Sequence, residues 1–183
     1  MKNTSSAGFS YIDVMIAIVI LMVGILALLS GMSGAVLMSK SQEQQLNAKQ
    51  IAASTMESIM SLKETDPLRL GWITVGNIGT NFDTTTGTNR GVFVNGEQVV
   101  RADAGNDEVL GTADDTGATI QGMTREIVIT DQCDPSRPSP NCPTPGTSAV
   151  RIRTVVVTIR YFVGQIRRQE VLTTVLTDYA VTE

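Results

Sequence analysis

The sequence predicts an α+β fold in which one long N-terminal helix packs on a mostly antiparallel β-sheet. Three observations lead to this prediction. Residues 14–29 carry no charged or strongly polar side chain, residues 48–62 repeat apolar side chains at steps of three and four, and two strand-like runs near the C-terminus flank Gly164-Gln165. The first two patterns are typical of helices and the third is typical of a β-hairpin.

The composition divides the chain into four regions. Residues 1–8 form a short polar leader, 9–38 an apolar half of the helix, 39–66 an amphipathic half, and 67–183 a β-rich head. A helix rises ~1.5 Å per residue, so about 25 apolar residues cross a ~30 Å hydrocarbon core. The first half is therefore predicted to span a membrane. A buried core helix is the alternative, but such a helix usually keeps a polar face.

The second half of the helix carries an apolar stripe that should lie on the head. The stripe consists of Ala48, Ala52, Met56, Ile59 and Leu62. Asp66-Pro67 should end the helix, because proline pushes the preceding residue out of the helical region.

Strand patterns follow in the head. We expect a hairpin at Asn95-Gly96, between residues 92–94 and 97–100, because this dipeptide suits a type I′ turn. Residues 125–130 should form another strand. The clearest pair is 150–163 and 166–177, joined by Gly164-Gln165 as a type II′ turn. The apolar phase changes near Arg153, which predicts a β-bulge there.

Composition limits the functions open to the chain. The net charge is −4 and there is no histidine, which removes the usual general base and the commonest transition-metal ligand. No nucleophile–base pair or phosphate-binding glycine loop is present, so we expect no enzymatic activity and no required cofactor. Cys133 and Cys142 are closely spaced around a proline-rich loop, which fits a disulfide in an oxidising compartment; two free thiols are the alternative.

An acidic segment and an arginine cluster are further candidate sites. Carboxylates near glycine turns predict a calcium site, although the spacing is not that of an EF-hand and a solvated acidic loop is the alternative. The expected ligands are Asp103, Asp107, Asp114 and Asp115, assisted by Asn106. The arginines predict either a DNA-binding surface or edge-strand charges that discourage aggregation. They are Arg151, Arg153, Arg160, Arg167 and Arg168.

A carboxylate, Asp13, lies near the start of the apolar helix, where it is costly unless paired. If the chain is cut after Gly8, then Phe9 carries a free amine. Asp13 is four residues further on and can reach that amine, or the amine of a neighbouring subunit. The alternative is an interfacial carboxylate that helps to start the helix.

The N-terminal segment resembles the signal of type IV pilins. The matching residues are Gly8, Phe9, Ser10, Tyr11, Ile12, Asp13 and the apolar run that follows. The resemblance implies cleavage after Gly8 by prepilin peptidase, methylation of Phe9, and pairing of Asp13 with the N-terminus of an adjacent subunit. The family usually has glutamate at the position of Asp13, and Tyr11 is also unusual.

Residues 14–29 and 48–59 are most similar to those of PilV-type minor pilins. The resemblance implies a pilin-like fold and a minor pilin that helps initiate, cap or modify the pilus fibre. Its partners would be other pilins, prepilin peptidase, the inner-membrane assembly platform and membrane lipid. It would cross the bacterial inner membrane once and then move through the periplasm into a cell-surface pilus. The alternatives are a minor pseudopilin of type II secretion, a tip module for adhesion or DNA, and a secreted domain cut after Ala35.

Overall fold

A computed structural model describes residues 10–64, 70–132 and 152–178. The elements in chain order are α1 (Tyr11–Glu64), α2 (Leu70–Thr74), β1 (Phe82–Asp83), β2 (Thr88–Asn89), β3 (Gln98–Asp103), β4 (Thr116–Gln132), β5 (Ile152–Val163) and β6 (Ile166–Thr177). Residues 1–42 and 43–183 form two compact units.

Helix α1 changes character along its length. Residues 10–40 are exposed on every side, whereas further along the helix Ala48, Ala52, Met56 and Ile59 are buried. Thr55 is also fully buried, and its hydroxyl donates to the Ile51 carbonyl at 2.8 Å. The predicted stripe is confirmed. The described part of the helix runs to Glu64, and the stop predicted at Asp66-Pro67 lies outside the described residues.

The head is built on a four-stranded antiparallel sheet in the order β3-β4-β5-β6. Val157 of β5 lies between Ile127 of β4 and Leu172 of β6. The β5–β6 hairpin is confirmed, and Gly164 supplies the positive φ of 61° that the tight turn needs. The predicted strand at 125–130 is part of β4.

One hydrophobic core joins the helix to the sheet. Ala48, Ala52, Met56 and Ile59 of α1 share it with strand residues and with the segment that precedes β3. The buried strand residues are Val100, Met123, Ile127, Val155, Val157, Ile159, Tyr161 and Leu176, and the segment contributes Trp72, Val75 and Phe93. The predicted α+β class, with the helix packed on the sheet, is therefore confirmed.

The hairpin predicted at Asn95-Gly96 is wrong. Strand β3 pairs with β4, not with residues 92–94. Phe93 is fully buried, and its backbone groups already bond to Gly76 (3.0 Å) and Ile78 (2.8 Å). Its hydrogen-bonding capacity is therefore used by the preceding loop, which leaves none for a hairpin.

The bulge predicted near Arg153 is also wrong. Strand β5 pairs without interruption with β4 over residues 152–161 and with β6 over residues 152–163. Arg153 lies on the core side of the sheet in phase with Val155 and Val157, and only 4% of it is exposed. The strand needs no change of phase, because the charge of Arg153 is satisfied inside the head.

The edge of the sheet at β3 is irregular, unlike the edge at β6. Strand β3 pairs irregularly, with register shifts between Val99 and Asp103. Past the last residue of β4 that pairs with β3, the side chain of Asn77 covers the backbone of β4. Its Nδ2 donates to the Ile127 carbonyl at 2.8 Å, and its Oδ1 accepts from the Ile129 N–H at 2.8 Å. Irregular pairing and capping both reduce the chance of further strand addition on this side.

Candidate assembly site

Asp13 lies in the first turn of α1 and helps to start the helix. The Ser10 carbonyl accepts from the Asp13 N–H at 3.0 Å, while the Ser10 N–H donates to Asp13 Oδ2 at 3.2 Å. This reciprocal arrangement resembles a capping box, in which the third helical residue returns a bond to the cap. A carboxylate here also favours the positive end of the helix dipole.

The cap leaves Asp13 with unused acceptor capacity. An ionised carboxylate can accept about four hydrogen bonds, and the Ser10 N–H uses one of them. Capping and pairing with an amine are thus compatible roles for this side chain. Gly8 and Phe9, the predicted cleavage and methylation residues, lie outside the described residues.

Residues 14–40, the part of α1 that follows Asp13, have no buried side. In this segment the exposed fraction of the large apolar side chains runs from 46% at Val14 to 72% at Met38. Within the described residues, α1 is long and apolar enough to cross a membrane. Burying one such side chain is worth about 1.5–3 kcal/mol, so this surface strongly favours lipid or other apolar helices over water.

Residues 104–115, which connect β3 to β4, form a loop built around Asp114. Its Oδ2 accepts from the N–H groups of Asn106 (2.9 Å) and Asp107 (3.2 Å), and its Oδ1 accepts from the Thr112 hydroxyl at 2.6 Å. The hydrogen bond from Thr112 is the main reason that the pKa of Asp114 is lowered. Ser58 of α1 accepts from the Leu110 N–H at 2.9 Å, so the loop is tied to the helix.

Asp107 lies in a less favourable environment. Partial burial raises the pKa of Asp107, and the negative charge of Asp114 adds to this effect. The Val109 N–H opposes the shift by donating to Asp107 Oδ1 at 2.8 Å. The pKa values of these two neighbouring carboxylates are therefore shifted in opposite directions, upward for Asp107 and downward for Asp114.

The predicted calcium ligands are not assembled around one point. Asp114 and Asp107 interact, Asp103 lies beside Gly117, and Asp115 bonds to Gly111 and Arg125. Within residues 10–64, 70–132 and 152–178, no group of three or more His, Cys, Asp or Glu side chains is placed to hold a metal ion. Calcium binding stays a prediction.

An ion pair between Arg125 and Asp115, which the sequence did not predict, lies inside the head. Only 2% of the Arg125 side chain and 8% of the Asp115 side chain are exposed. Asp115 also accepts from the Gly111 N–H at 3.1 Å, and Arg125 reaches the hydroxyl of Thr55 at 3.4 Å. The pair thus connects the acidic loop, β4 and α1. The alternation of Arg125 with Ile127 and Ile129 on one strand face is a signal that Arg125 is buried, but it does not identify the partner.

Arg153 makes a second buried connection. Its guanidinium lies 4.4 Å from the centre of the Trp72 ring. The guanidinium also donates hydrogen bonds to Asp131 Oδ1 at 2.9 Å, to the Val75 carbonyl at 2.8 Å and to Asn81 Oδ1 at 3.2 Å. Burial lowers the pKa of Arg153, and Asp131 opposes that shift. Arg153 therefore holds the segment before β3 against the sheet.

The arginine cluster does not form one open basic surface. Arg160 bonds to Glu126 at 2.6 Å and to Glu97 at 3.3 Å, and Arg167 also pairs with Glu97. The Thr124 hydroxyl, followed by Arg167, lowers the pKa of Glu97. Most of the described arginine charge on the hairpin is thus neutralised locally, which weakens the argument for DNA binding. Arg151, Cys133 and Cys142 lie outside the described residues.

Comparison of the chain with protein-family models, with curated proteins and with solved structures gives no match.

Proposed function

We propose that this protein is a minor pilin, a structural subunit of a type IV pilus that helps initiate, cap or modify the fibre. The observation that carries the proposal is the division of α1. One part exposes apolar side chains on all sides, and the part from Ala48 onward is buried in the core of the head. Such a helix can exchange lipid for neighbouring helices without unfolding the head.

The N-terminal residues support a pilin in particular. Gly8, Phe9 and Asp13 have the order that prepilin peptidase processing requires in the family that the chain resembles. Cleavage after Gly8 leaves the apolar segment in the mature protein, unlike an ordinary secretory signal, whose apolar stretch is removed. The protein then waits in the bacterial inner membrane and passes into the pilus through contacts with other pilins and the assembly platform.

The role proposed for Asp13 is to accept the N-terminal amine of an adjacent subunit. A charge in an apolar environment is stabilised only by a partner, so this pairing selects one axial register between helices. Aspartate is one methylene shorter than glutamate. The neighbouring helix must therefore approach more closely, or the pairing is weaker than in subunits with glutamate.

Intact mass and N-terminal sequencing of the protein from its native membrane test the processing step. We expect an N-terminus at Phe9 with one added methyl group. An N-terminus at Val36 would show a secreted domain, and an uncut Met1 would show a plain membrane anchor; either result contradicts the proposal.

The assembly step needs a separate test. We expect Asp13→Ala to be processed normally but to be lost from sheared surface fibres, while Asp13→Glu is processed and incorporated at least as well as the native chain. Quantitative immunoblots of membrane and fibre fractions give both readings. If the native chain is processed, is absent from fibres and co-purifies with a secretin-linked complex, the protein is instead a type II secretion pseudopilin.

A further inference from the structure

The outer edge of β6 differs from the other edge of the sheet. Strand β6 pairs with β5 in one unbroken register from Ile166 to Thr177, without the shifts seen in β3. It contains no proline, and residues 171–177 carry no charge. No described residue pairs with its outer edge. An edge that is regular along its whole length and uncharged over residues 171–177 can accept another strand.

The hairpin geometry shows which backbone groups face outward. Val163 and Ile166 flank a two-residue turn and therefore form a hydrogen-bonded pair. In an antiparallel ladder such pairs alternate along the strand. The even-numbered residues of β6 consequently bond to β5, whereas the N–H and C=O groups of Val171, Thr173 and Val175 point away from the sheet.

The side chains along this edge indicate the chemistry of a partner. Val171 and Val175 share the face of the sheet opposite the core and are 52% and 56% exposed, and Leu172 on the core face is 37% exposed. Arg167 is paired with Glu97, and Glu170 accepts from Gln45 at 2.9 Å. Arg168 has no hydrogen bond or ion pair with any described residue, and its charge acts on the phenol group of Tyr161, its cross-strand neighbour.

We propose that the outer edge of β6 binds an extended segment of a partner protein, which adds to the sheet as an antiparallel strand. The segment is β-branched and apolar opposite Val175 and Val171, and carries an acidic residue opposite Arg168, toward its own C-terminal end. Main-chain bonds supply affinity, and the alternate side chains supply specificity. Antiparallel addition continues the pattern of the existing sheet and is slightly more stable than parallel addition.

A second copy of this chain is the main competing occupant. Two β6 strands centred on Thr173 would place Asp178 of each copy opposite Arg168 of the other. The two-fold axis of that arrangement is perpendicular to the sheet, so residues 43–64 of the two copies would run in opposite directions. This argument rests on the proposed function, because subunits of one filament must run in the same direction. We therefore assign the edge to a different protein.

Residue-resolved amide exchange of the full-length protein in detergent micelles tests the proposal. The probe is a synthetic strand peptide with valine opposite Val171, Leu172 and Val175, glutamate opposite Arg168, and threonine elsewhere. In the free protein, the amides of Val171, Thr173 and Val175 should exchange quickly and those of Leu172 and Thr174 slowly. Saturating peptide should slow the first group about tenfold or more and leave the second unchanged.

Two matched variants locate the binding. Thr173→Pro removes an outward N–H at a site where an edge strand tolerates proline, so it should abolish binding of the peptide; Thr173→Val keeps the N–H and should bind normally. Arg168→Glu should weaken binding of the glutamate peptide about threefold at low salt, and a lysine peptide should restore it. Equal binding to all variants would show non-specific adhesion and overturn the proposal.

The remaining outcomes are also decisive. If the amides of Val171, Thr173 and Val175 are protected in dilute protein without peptide, the chain covers its own edge and the proposal is wrong. If their protection and the sedimentation coefficient rise together with protein concentration, the occupant is a second copy and the assignment to another protein is overturned. Neither outcome affects the N-terminus found by mass spectrometry, so the proposed function is judged separately.

Discussion

The buried pair of Arg125 and Asp115 gives the sharpest test of how the head is held together. With 2% and 8% of their side chains exposed, neither residue can be solvated if its partner is removed. Breaking a buried pair by truncating one member destabilises proteins by about 3–5 kcal/mol, because the other charge stays behind uncompensated. We therefore expect Asp115→Ala to lower the free energy of unfolding of the head by about 3–5 kcal/mol.

Trp72 makes this measurable by urea denaturation in detergent. It is the only tryptophan in the chain and is 8% exposed in the head core, so its fluorescence reports unfolding of the head rather than of the apolar helix. The matched control is Glu126→Ala, which breaks the partly exposed pair with Arg160, whose side chains are 28% and 22% exposed, and should cost about 1 kcal/mol or less.

Replacing both members of the buried pair separates charge from packing. Arg125→Met combined with Asp115→Leu should recover most of the loss caused by Asp115→Ala, because apolar residues of similar volume often substitute well for a buried ion pair. If Asp115→Ala costs no more than Glu126→Ala, the reasoning that these charges are desolvated is refuted.

Three more outcomes follow from the head. Ile59→Ala removes a fully buried side chain and should cost about 2–5 kcal/mol, whereas Met60→Ala at a 39% exposed neighbour should cost far less; the same urea titrations compare them, and equal costs would contradict the packing of α1. Arg153→Lys keeps the charge but loses the planar contacts with Trp72 and the fork of hydrogen bonds, so the urea midpoint should fall, and an unchanged midpoint would contradict the role given to the guanidinium. The pKa of Asp114 is lower in the folded state than in the unfolded state. The stabilisation from Asp114 is therefore complete above the unfolded pKa of about 3.9 and is lost as the pH falls through the folded pKa. Asp114→Asn should flatten this acid dependence of the urea midpoint, and an unaltered pH profile would exclude a stabilising role for the Asp114 carboxylate.

Repeating patterns made the helix and the last hairpin predictable. The stripe from Ala48 to Leu62 follows the helical period, and the alternation from Val155 to Val163 follows the strand period, so each identifies a buried face without knowledge of its partner. Gly164 marked the turn because few other residues adopt positive φ.

The errors arose where tertiary contacts override local preference. Asn95-Gly96 suits a tight turn, but burial of Phe93 against the preceding loop decides the path of the chain. Arg153 looked like an outward residue, and only the distant Trp72, Val75 and Asp131 make its burial favourable. Asp115, the partner of Arg125, lies in a loop of irregular structure, and no periodicity in the sequence indicates that these two residues pair.

The chain order of the core also determines when it can form. Ala48 to Ile59 are synthesised early, yet they pack with Val155 to Leu176, near the other end of the chain. Contacts between such distant parts of a sequence form slowly, and their apolar surfaces stay exposed until then. During synthesis, the stripe on α1 therefore stays unpacked until the β5–β6 hairpin has been made. A chain truncated before that hairpin would leave the stripe exposed, and it should be degraded faster by quality-control proteases than the full chain.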